Sequence, residues 1–507
     1  FMQKTVGIIG GLLVFAIITL LPLDSGTIPF PAQLAAAVTG LMVVWWITEA
    51  IPIYATALVP LVLFPILGIL SPKEAAVSYA DQTVFLFMGG FFIAAAMMRW
   101  NLHRRIALNV ISLAGSETKK LVLGFMVATA FISMWISNTA TAMMMIPIAL
   151  ALVSTLLPGV LTDKNGEQSG ERQFATCLLL GVAYAATIGG MATLIGTPPN
   201  GILVAQLSSI FPDAPEIDFF SWMIFAVPFM IIFLLIAWFW LTSVTHRHMP
   251  KEISGSRDMI GHELSDLGPL KTGEKWTLLV FLSVAIAWIF RTPKEIGSLV
   301  IPGITTYIPG VTDATIAITG ALILFMLPVD ARKGIYTLDW ESAKGIPWGI
   351  LILFGGGICL SEGIIASGLA EVLANSFTLL AVLPLIVIIL LISLFITFLN
   401  EVVSNTAMAS IMVPLMAITS VSMGINPMML MVPAALASSL GFMLPVGTPP
   451  NAIAYGTGYI STREMARAGF TLNIIGCILI TIFMMFIIPA SLGLSPELPA
   501  WAVIPGK

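Results

Sequence analysis

Long apolar runs separated by short polar segments make up most of this chain. Examples are Thr5–Leu21, Phe219–Thr242, Trp276–Phe290 and Phe470–Pro489. As helices, runs of this length cross or nearly cross a hydrocarbon core of roughly 30 Å. They lack the alternation of apolar and polar residues that a transmembrane barrel requires, so the pattern predicts helices rather than strands.

Composition places the chain in a membrane. Hydrophobic residues make up 58% of it, charged residues only 9%, and the mean hydropathy is +1.01, which excludes an ordinary soluble globular protein. The first residues enter an apolar run with no small-residue cleavage site, which predicts a retained first span. We therefore expect a multi-pass protein of the cell (inner or plasma) membrane, surrounded by the lipid bilayer and with no nucleic-acid partner.

Two motifs recur at one spacing. The sequence LFMGG at 86–90 returns as LFGGG at 353–357, and SNTA at 137–140 returns at 404–407, in each case 267 residues later. Because two separate motifs share one offset, the chain is predicted to be an internal duplication.

A third repeated motif, GTPPN, begins at Gly196 and again at Gly447, 251 residues later. The shorter offset indicates an insertion in the first half, which we assign to the polar segment Leu161–Gln173. Each half thus carries a Gly-rich helix, an SNT segment and a GTPPN segment in the same order.

The apolar pattern predicts an all-α protein with about eleven transmembrane helices and two re-entrant hairpins. The crossings are expected near 5–22, 33–52, 54–70, 82–98, 174–210, 220–245, 276–290, 313–328, 346–366, 427–457 and 467–489, and the hairpins near 121–157 and 379–421. With a cytoplasmic N-terminus, eighteen Lys and Arg residues fall inside and four outside, which is the bias that membrane proteins show. Five crossings separate the hairpins, so the repeats are predicted to be inverted.

The motifs interrupt helices at membrane depth. Backbone groups freed by such a break survive only where they are buried in protein or face a water-filled cavity. Consecutive prolines at Pro198-Pro199 and Pro449-Pro450 cannot continue a helix, and the preceding glycines permit an unwound backbone. Inverted repeats with broken helices near the midplane are typical of the binding site of a secondary transporter.

The chemistry of the motifs favours an anion bound together with a hard cation. Neither motif contains Lys or Arg, so helix N-termini and the donors of Asn138, Thr139, Asn405 and Thr406 would hold the anion. Two equivalent donor groups suit a ligand with two acceptor ends, such as a small dicarboxylate. Carbonyl, hydroxyl and amide oxygens suit Na⁺ better than soft metals.

The doubled SNT and GTPPN motifs, with FISMWISNTAT in the first half and VGTPPNAIAYGTGYI in the second, resemble the divalent anion/sodium symporter family of INDY-type dicarboxylate transporters. The resemblance covers essentially the whole chain. It implies a homodimeric elevator-type transporter that imports C4-type dicarboxylates such as succinate, malate and fumarate by sodium symport. Threonine after asparagine in both SNT motifs resembles the dicarboxylate branch more than the sulfate-carrying branch.

The resemblance also implies residue roles. Substrate contacts are carried over to Asn138, Thr139, Asn405, Thr406, Thr197, Thr448 and Pro449. Sodium ligands are carried over to Ser133, Ser137, Asn138 and Gly196 in the first site, and to Asn400, Val403, Asn405 and Gly447 in the second. The implied division of the chain is a scaffold domain at 1–115 and 276–375, a transport domain at 116–250 and 376–490, a cytoplasmic linker at 251–275 and a C-terminal tail at 491–507.

Several alternatives remain open at this stage. The family commonly has Thr at position 400, where this chain has Asn400, so a sodium-independent dicarboxylate exchanger is the second interpretation. Glu401 either supports the second site or serves helix packing. A polytopic membrane enzyme is a remote alternative, because the sequence shows no HExxH or GxSxG motif and no clustered His and Asp.

Overall fold

The computed structural model describes residues 2–22, 28–157, 169–296, 299–376 and 383–502. Nearly all of its regular structure is helical. The helices of the first half are α1 (Met2–Leu20), α2 (Phe30–Thr48), α3 (Ile53–Thr56), α4 (Val59–Ile66), α5 (Pro72–Val77), α6 (Gln82–Arg99), α7 (Leu102–Ser112), α8 (Thr118–Ser133), α9 (Asn138–Leu156), α10 (Gly170–Gly190), α11 (Pro198–Ile210) and α12 (Phe219–Phe239).

The second half begins after a polar segment. Its helices, with one in that segment, are α13 (Ser256–Asp266), α14 (Thr272–Ile289), α15 (Ile304–Tyr307), α16 (Asp313–Met326), α17 (Trp340–Ala343), α18 (Trp348–Ala366), α19 (Leu369–Ser376), α20 (Leu385–Asn400), α21 (Asn405–Ser422), α22 (Met428–Ala437), α23 (Pro449–Gly456), α24 (Thr462–Ile482) and α25 (Ile488–Leu492). Two small antiparallel pairs connect helices: β1 (Lys294–Ile296) with β2 (Leu299–Ile301), and β3 (Pro328–Asp330) with β4 (Ile335–Tyr336).

Within the described residues, nine helices are long and apolar enough to cross a membrane. Seven of the eleven predicted crossings coincide with members of this set, and the other two members are α9 and α21, which the sequence assigned to hairpins. The remaining four predicted crossings correspond to shorter apolar helices. Two of them are not single helices. The crossing at 427–457 is divided into α22 and α23, where the sequence predicted a broken helix. The crossing at 54–70 is divided into α3 and α4, with Pro60 in the first turn of α4 and Pro65 inside it.

The duplication is visible in the helix bounds. α8 begins at Thr118 and α20 at Leu385, 267 residues later, and each has 16 residues. The same offset relates α7 to α19 and α9 to α21. Both α12 and α24 continue into a π-helical segment, at Trp240–Thr245 and Phe483–Ile487. Residues 161–168 of the predicted insertion lie outside the described residues.

Helices from the two halves pack across each other. α9 and α10 of the first half contact α23 of the second, and α21 of the second half contacts α11 of the first. A second set is formed by α6, α14 and α16, and α18 packs on α4. α18 also touches α11 and α21, so the Gly-rich helix of the second half adjoins both groups.

The predicted linker at 251–275 contains the regular helix α13, which packs against α7 and α9. Arg104 of α7 forms a salt bridge with Glu263 of α13. Arg105 pairs with Glu274 at 2.7 Å and donates to the carbonyl of Gly268 at 2.9 Å. This segment is therefore linked to α7, the helix that precedes α8.

Candidate functional site

The first tip, residues 134–137, joins α8 to α9. Ser137 is the N-cap of α9 and accepts a hydrogen bond from the backbone N–H of Ala140 at 3.4 Å. The buried hydroxyl of Ser133 lies 2.7 Å from Asn138 Oδ1 and 2.6 Å from the carbonyl oxygen of Ala186 in α10. Helix α9 thus begins with the SNT asparagine, directly after a non-helical turn that packs against α10.

The first break, residues 191–197, separates α10 from α11. Its carbonyls are held by Asn200, whose side-chain amide donates to Gly190 O at 3.3 Å and to Thr193 O at 2.7 Å. The Thr193 hydroxyl donates to Met134 O of the first tip and accepts from the Gly196 N–H at 3.1 Å. The break is therefore an ordered loop.

Two glycines bring the first tip and the first break together. A Cβ on Gly190 would overlap Asn138 Oδ1, and a Cβ on Gly196 would overlap the carbonyl of Gly190. Of the predicted first sodium set, the structure therefore joins Ser133 to Asn138, and Gly190 lies between Asn138 and Gly196.

The second tip, residues 401–404, joins α20 to α21. Ser404 is the N-cap and accepts from the N–H of Ala407 at 3.2 Å. The Asn400 amide donates to Asn405 Oδ1 at 3.0 Å and to Leu440 O at 2.7 Å. Asn400 Oδ1 is buried and has no hydrogen-bond partner, which leaves it available to a ligand.

The second break, residues 438–448, separates α22 from α23. The amide of Asn451 donates to Gly441 O at 2.9 Å and to Leu444 O at 3.1 Å. These carbonyls stand ten and seven residues before Asn451, the same positions that Asn200 holds in the first break. Both asparagines are fully buried, and each retains a buried Oδ1 without a partner.

Sequence reasoning did not select Asn200 and Asn451, although each closes a GTPPN motif that it did select. Their repetition at equivalent positions was the available signal. What the sequence does not reveal is the path of the unwound backbone that their amides bridge.

The remaining predicted residues lie around the tips and breaks. Thr139 and Thr406 are half-buried in the first turns of α9 and α21, and Thr197 and Thr448 are the buried N-cap residues of α11 and α23. Four further predicted residues lie as follows: Val403 is buried in the second tip, Ser137 is half-buried, Pro449 is exposed, and Gly447 packs against the side chain of Glu401.

Four helices, α9, α11, α21 and α23, start at the tips and breaks. Helix N-termini offer free N–H groups and a partial positive charge that favour anions. Among the described residues, no group of three or more His, Cys, Asp or Glu side chains is arranged to hold a metal. The oxygens at the tips are neutral hydroxyl, amide and carbonyl groups, which suit an alkali cation better than a transition metal.

The arrangement has known relatives. Residues 2–490 match the family described as the sodium:sulfate symporter transmembrane region. The chain belongs to this family. Members of it are polytopic membrane transporters rather than enzymes, so the enzyme alternative is withdrawn.

Curated family members match nearly the whole chain. It is 42% identical over 499 residues to the sodium-dependent dicarboxylate transporter SdcS of Staphylococcus saprophyticus, and 43% identical over 501 residues to the SdcS of Staphylococcus aureus. In both cases the alignment covers 98% of this chain and 93% of the relative.

More distant solved structures share the fold. The Alcanivorax borkumensis YdaH transporter matches with a TM-score of 0.55 at 14% identity, over 90% of this chain and 99% of that one. The Neisseria gonorrhoeae MtrF matches with a TM-score of 0.53 at 13% identity, over 84% and 85%. At this identity the likeness concerns the architecture alone.

Proposed function

We propose that this chain is a sodium-dependent dicarboxylate transporter. The observation that carries the proposal is the pair of SNT tips, each next to a GTPPN break, in a chain 42–43% identical over 98% of its length to SdcS transporters of that activity. The family also includes sulfate symporters by its description. Thr139 and Thr406 after the two asparagines favour the dicarboxylate branch.

One sodium ion binds at each tip in this proposal. The first ion contacts oxygens of Ser133, Ser137, Asn138 and the backbone of Gly196. The second contacts Asn400, Asn405 and the carbonyls of Val403 and Gly447. The buried Asn400 Oδ1, which has no partner, supports the second assignment, because an amide oxygen replaces the threonine hydroxyl that the family commonly provides.

The dicarboxylate lies between the two tips, with one carboxylate near Asn138 and Thr139 and the other near Asn405 and Thr406. Thr197, Thr448 and Pro449 are placed nearby. Helix N-termini and the two sodium charges balance the dianion without a Lys or Arg in either motif. Sodium and substrate therefore stabilise each other's binding, which is what coupled transport requires.

The transport domain at 116–250 and 376–490 moves against the scaffold domain at 1–115 and 276–375 as an elevator. The Gly-rich helices support this division. Gly89 and Gly356 pack closely on Ala317 and Ala57 of the scaffold, whereas their neighbours Gly90 and Gly357 face the transport domain. Because Gly90 and Gly357 have no side chain, the scaffold presents little obstruction to the transport domain at these two positions.

The proposed assembly is a homodimer in the cell membrane, with a cytoplasmic N-terminus and inverted repeats. The distribution of Lys and Arg supports this orientation. The cytoplasmic linker would then be the segment that contains α13, and 491–507 would be the C-terminal tail.

Uptake of radiolabelled succinate into proteoliposomes tests the function. We expect uptake to require an inward Na⁺ gradient, to fail when choline replaces Na⁺, and to carry current. Excess sulfate should compete far less than excess malate. Uptake that ignores Na⁺ but needs dicarboxylate inside the vesicle would contradict symport and identify an exchanger.

A further inference from the structure

Glu401 is a buried acid at the second tip, directly after Asn400. Glu401 is only 3% exposed. Both carboxylate oxygens act as acceptors: Oε1 receives the Met443 N–H at 2.9 Å and the Asn473 amide at 2.6 Å, and Oε2 receives the Leu444 N–H at 2.9 Å. Three donors to two oxygens fit the ionised form.

No Lys, Arg or His side chain pairs with Glu401 in the described part of the chain. Other buried acids of this protein do have such a partner. Asp313 lies 2.8 Å from Arg291, and Glu274 lies 2.7 Å from Arg105. Burying an ionised carboxylate away from a cation is costly even when it is hydrogen-bonded. Since no cationic side chain of the described residues pairs with Glu401, a bound cation would lower this cost.

The surroundings of Glu401 indicate where that charge binds. A Cβ placed on Gly447 would stand 2.9 Å from Glu401 Oε2, and Asn400 is its neighbour in sequence. Both belong to the proposed second sodium site. Met134 occupies the equivalent position in the first half, 267 residues earlier, so the first site lacks a carboxylate at this position.

We propose that Glu401 balances the charge of the cation in the second site and, through the N–H groups of Met443 and Leu444, positions the second break around it. This inference rests on the proposed sodium-coupled function. It makes the two sodium sites unequal: the second pairs its ion with a fixed negative charge, whereas the first offers neutral oxygens only.

Sodium-dependent thermal stabilisation of the purified chain tests the inference without relying on transport. A ligand that binds only the folded state raises the unfolding midpoint with its concentration. The midpoint is followed during a sodium titration, with choline keeping the ionic strength constant. For Glu401→Gln we expect the sodium concentration at half-maximal stabilisation to rise by about tenfold or more, because a nearby unit charge at an effective dielectric of about 20 is worth at least that factor.

Matched variants separate charge from hydrogen bonding. Glu362→Gln makes the same change in α18, where the carboxylate accepts from Ser78 Oγ at 2.8 Å. It should leave the sodium concentration at half-maximal stabilisation unchanged. Asn473→Ala removes one hydrogen-bond donor but keeps the charge, and should shift this concentration by less than about threefold. If Glu401→Gln does not fold, Glu401→Met takes over the test, because it removes the charge and introduces the residue type found at the equivalent position of the first half.

The outcomes are distinguishable. A wild-type chain whose midpoint ignores sodium contradicts the proposed function itself. A wild-type chain that responds to sodium, with Glu401→Gln responding at the same concentration, overturns the inference alone. So does a tenfold shift in Asn473→Ala, because hydrogen bonding rather than charge would then set the affinity.

Discussion

The two halves of the site have the same arrangement of a tip beside a break, but different hydrogen bonds fix the two breaks. The first break, 191–197, is short and tied by neutral groups, among them the Trp222 indole, which donates to a carbonyl of the break at 3.1 Å. The second break, 438–448, is longer and is tied by Glu401 and Asn473. Trp222 and Asn473 stand 251 residues apart, the offset of the GTPPN motifs, so they occupy equivalent positions. Each forms a hydrogen bond to its break, but one is an indole donor and the other an amide acceptor.

The halves also differ in the oxygens left without partners. Some of the described residues that are predicted ligands or belong to GTPPN have a buried side-chain oxygen with no hydrogen-bond partner. The first half has one such oxygen, Asn200 Oδ1, and the second half has three: Asn400 Oδ1, Thr448 Oγ1 and Asn451 Oδ1. Buried polar atoms without partners are costly. We infer that the second half depends more on bound ligand for its order, and that the first half is closer to complete in the polypeptide alone.

The largest expected effect comes from the glycines that line the two breaks. Gly190→Ala should reduce the initial rate of sodium-driven succinate uptake by at least about 100-fold. Its Cβ would displace the Asn138 side chain, which is proposed to contact both the first sodium ion and the dicarboxylate. The equivalent Gly441→Ala should cost only about threefold, because its Cβ would stand 3.3 Å from the Asn400 amide, where a far smaller shift than at Gly190 relieves the contact. Equal losses in two monodisperse variants would contradict the asymmetry.

A second prediction concerns the asparagines that the halves have in common. Asn200→Ala and Asn451→Ala should each raise the sodium concentration for half-maximal uptake by about tenfold, since each frees buried carbonyls. Asn109→Ala removes an exposed asparagine that donates to a helix carbonyl and should change nothing. An effect in only one of the two halves would show that the amide bridge is not a shared element.

A third, smaller effect is expected where the second tip is changed toward the first. Asn400→Ser introduces the residue type found at Ser133 and shortens the reach to Leu440 O, which Asn400 contacts at 2.7 Å. We expect sodium affinity, measured by the same uptake titration, to fall about fivefold. Unchanged affinity would mean that Asn400 contributes no ligand to the second site.

The smallest effect is expected where the proposed transport and scaffold domains meet. Ser361 of α18 donates to the side chain of Gln206 in α11, and both residues are buried. The equivalent position in the first half is Ala94. The double change Ser361→Ala with Gln206→Leu removes this polar tie and should alter the maximal uptake rate by no more than about threefold, with the sodium titration unchanged. A large shift in sodium affinity would contradict a role confined to the domain surface.

Much of the framework follows from sequence. Hydropathy identifies a multi-pass helical protein, and the family match confirms it. The proline pairs at Pro198-Pro199 and Pro449-Pro450 dictate where helices restart, because proline has no N–H to continue a helix and fits its first turn. Motif spacing identified the duplication that the bounds of α8 and α20 display.

The remainder depends on contacts between residues far apart in sequence. The tie from Glu401 to Asn473 joins residues 72 positions apart, and that from Arg105 to Glu274 joins residues 169 apart. Hydropathy also overestimated the unbroken span at 54–70, because hydropathy does not register that Pro60 favours the first turn of a new helix. The bridges made by Asn200 and Asn451 required the path of an unwound backbone, which no periodicity describes.

The central claim is that one dicarboxylate is held between the two halves. Equilibrium binding of radiolabelled succinate to the purified chain at saturating sodium tests it most directly, in wild type, Asn138→Ala and Asn405→Ala. The account predicts one succinate per chain for wild type and no measurable binding in either variant, with Asn109→Ala as the unaffected control. Retention of wild-type affinity by either variant would contradict it, because a ligand held by a single half does not need the other.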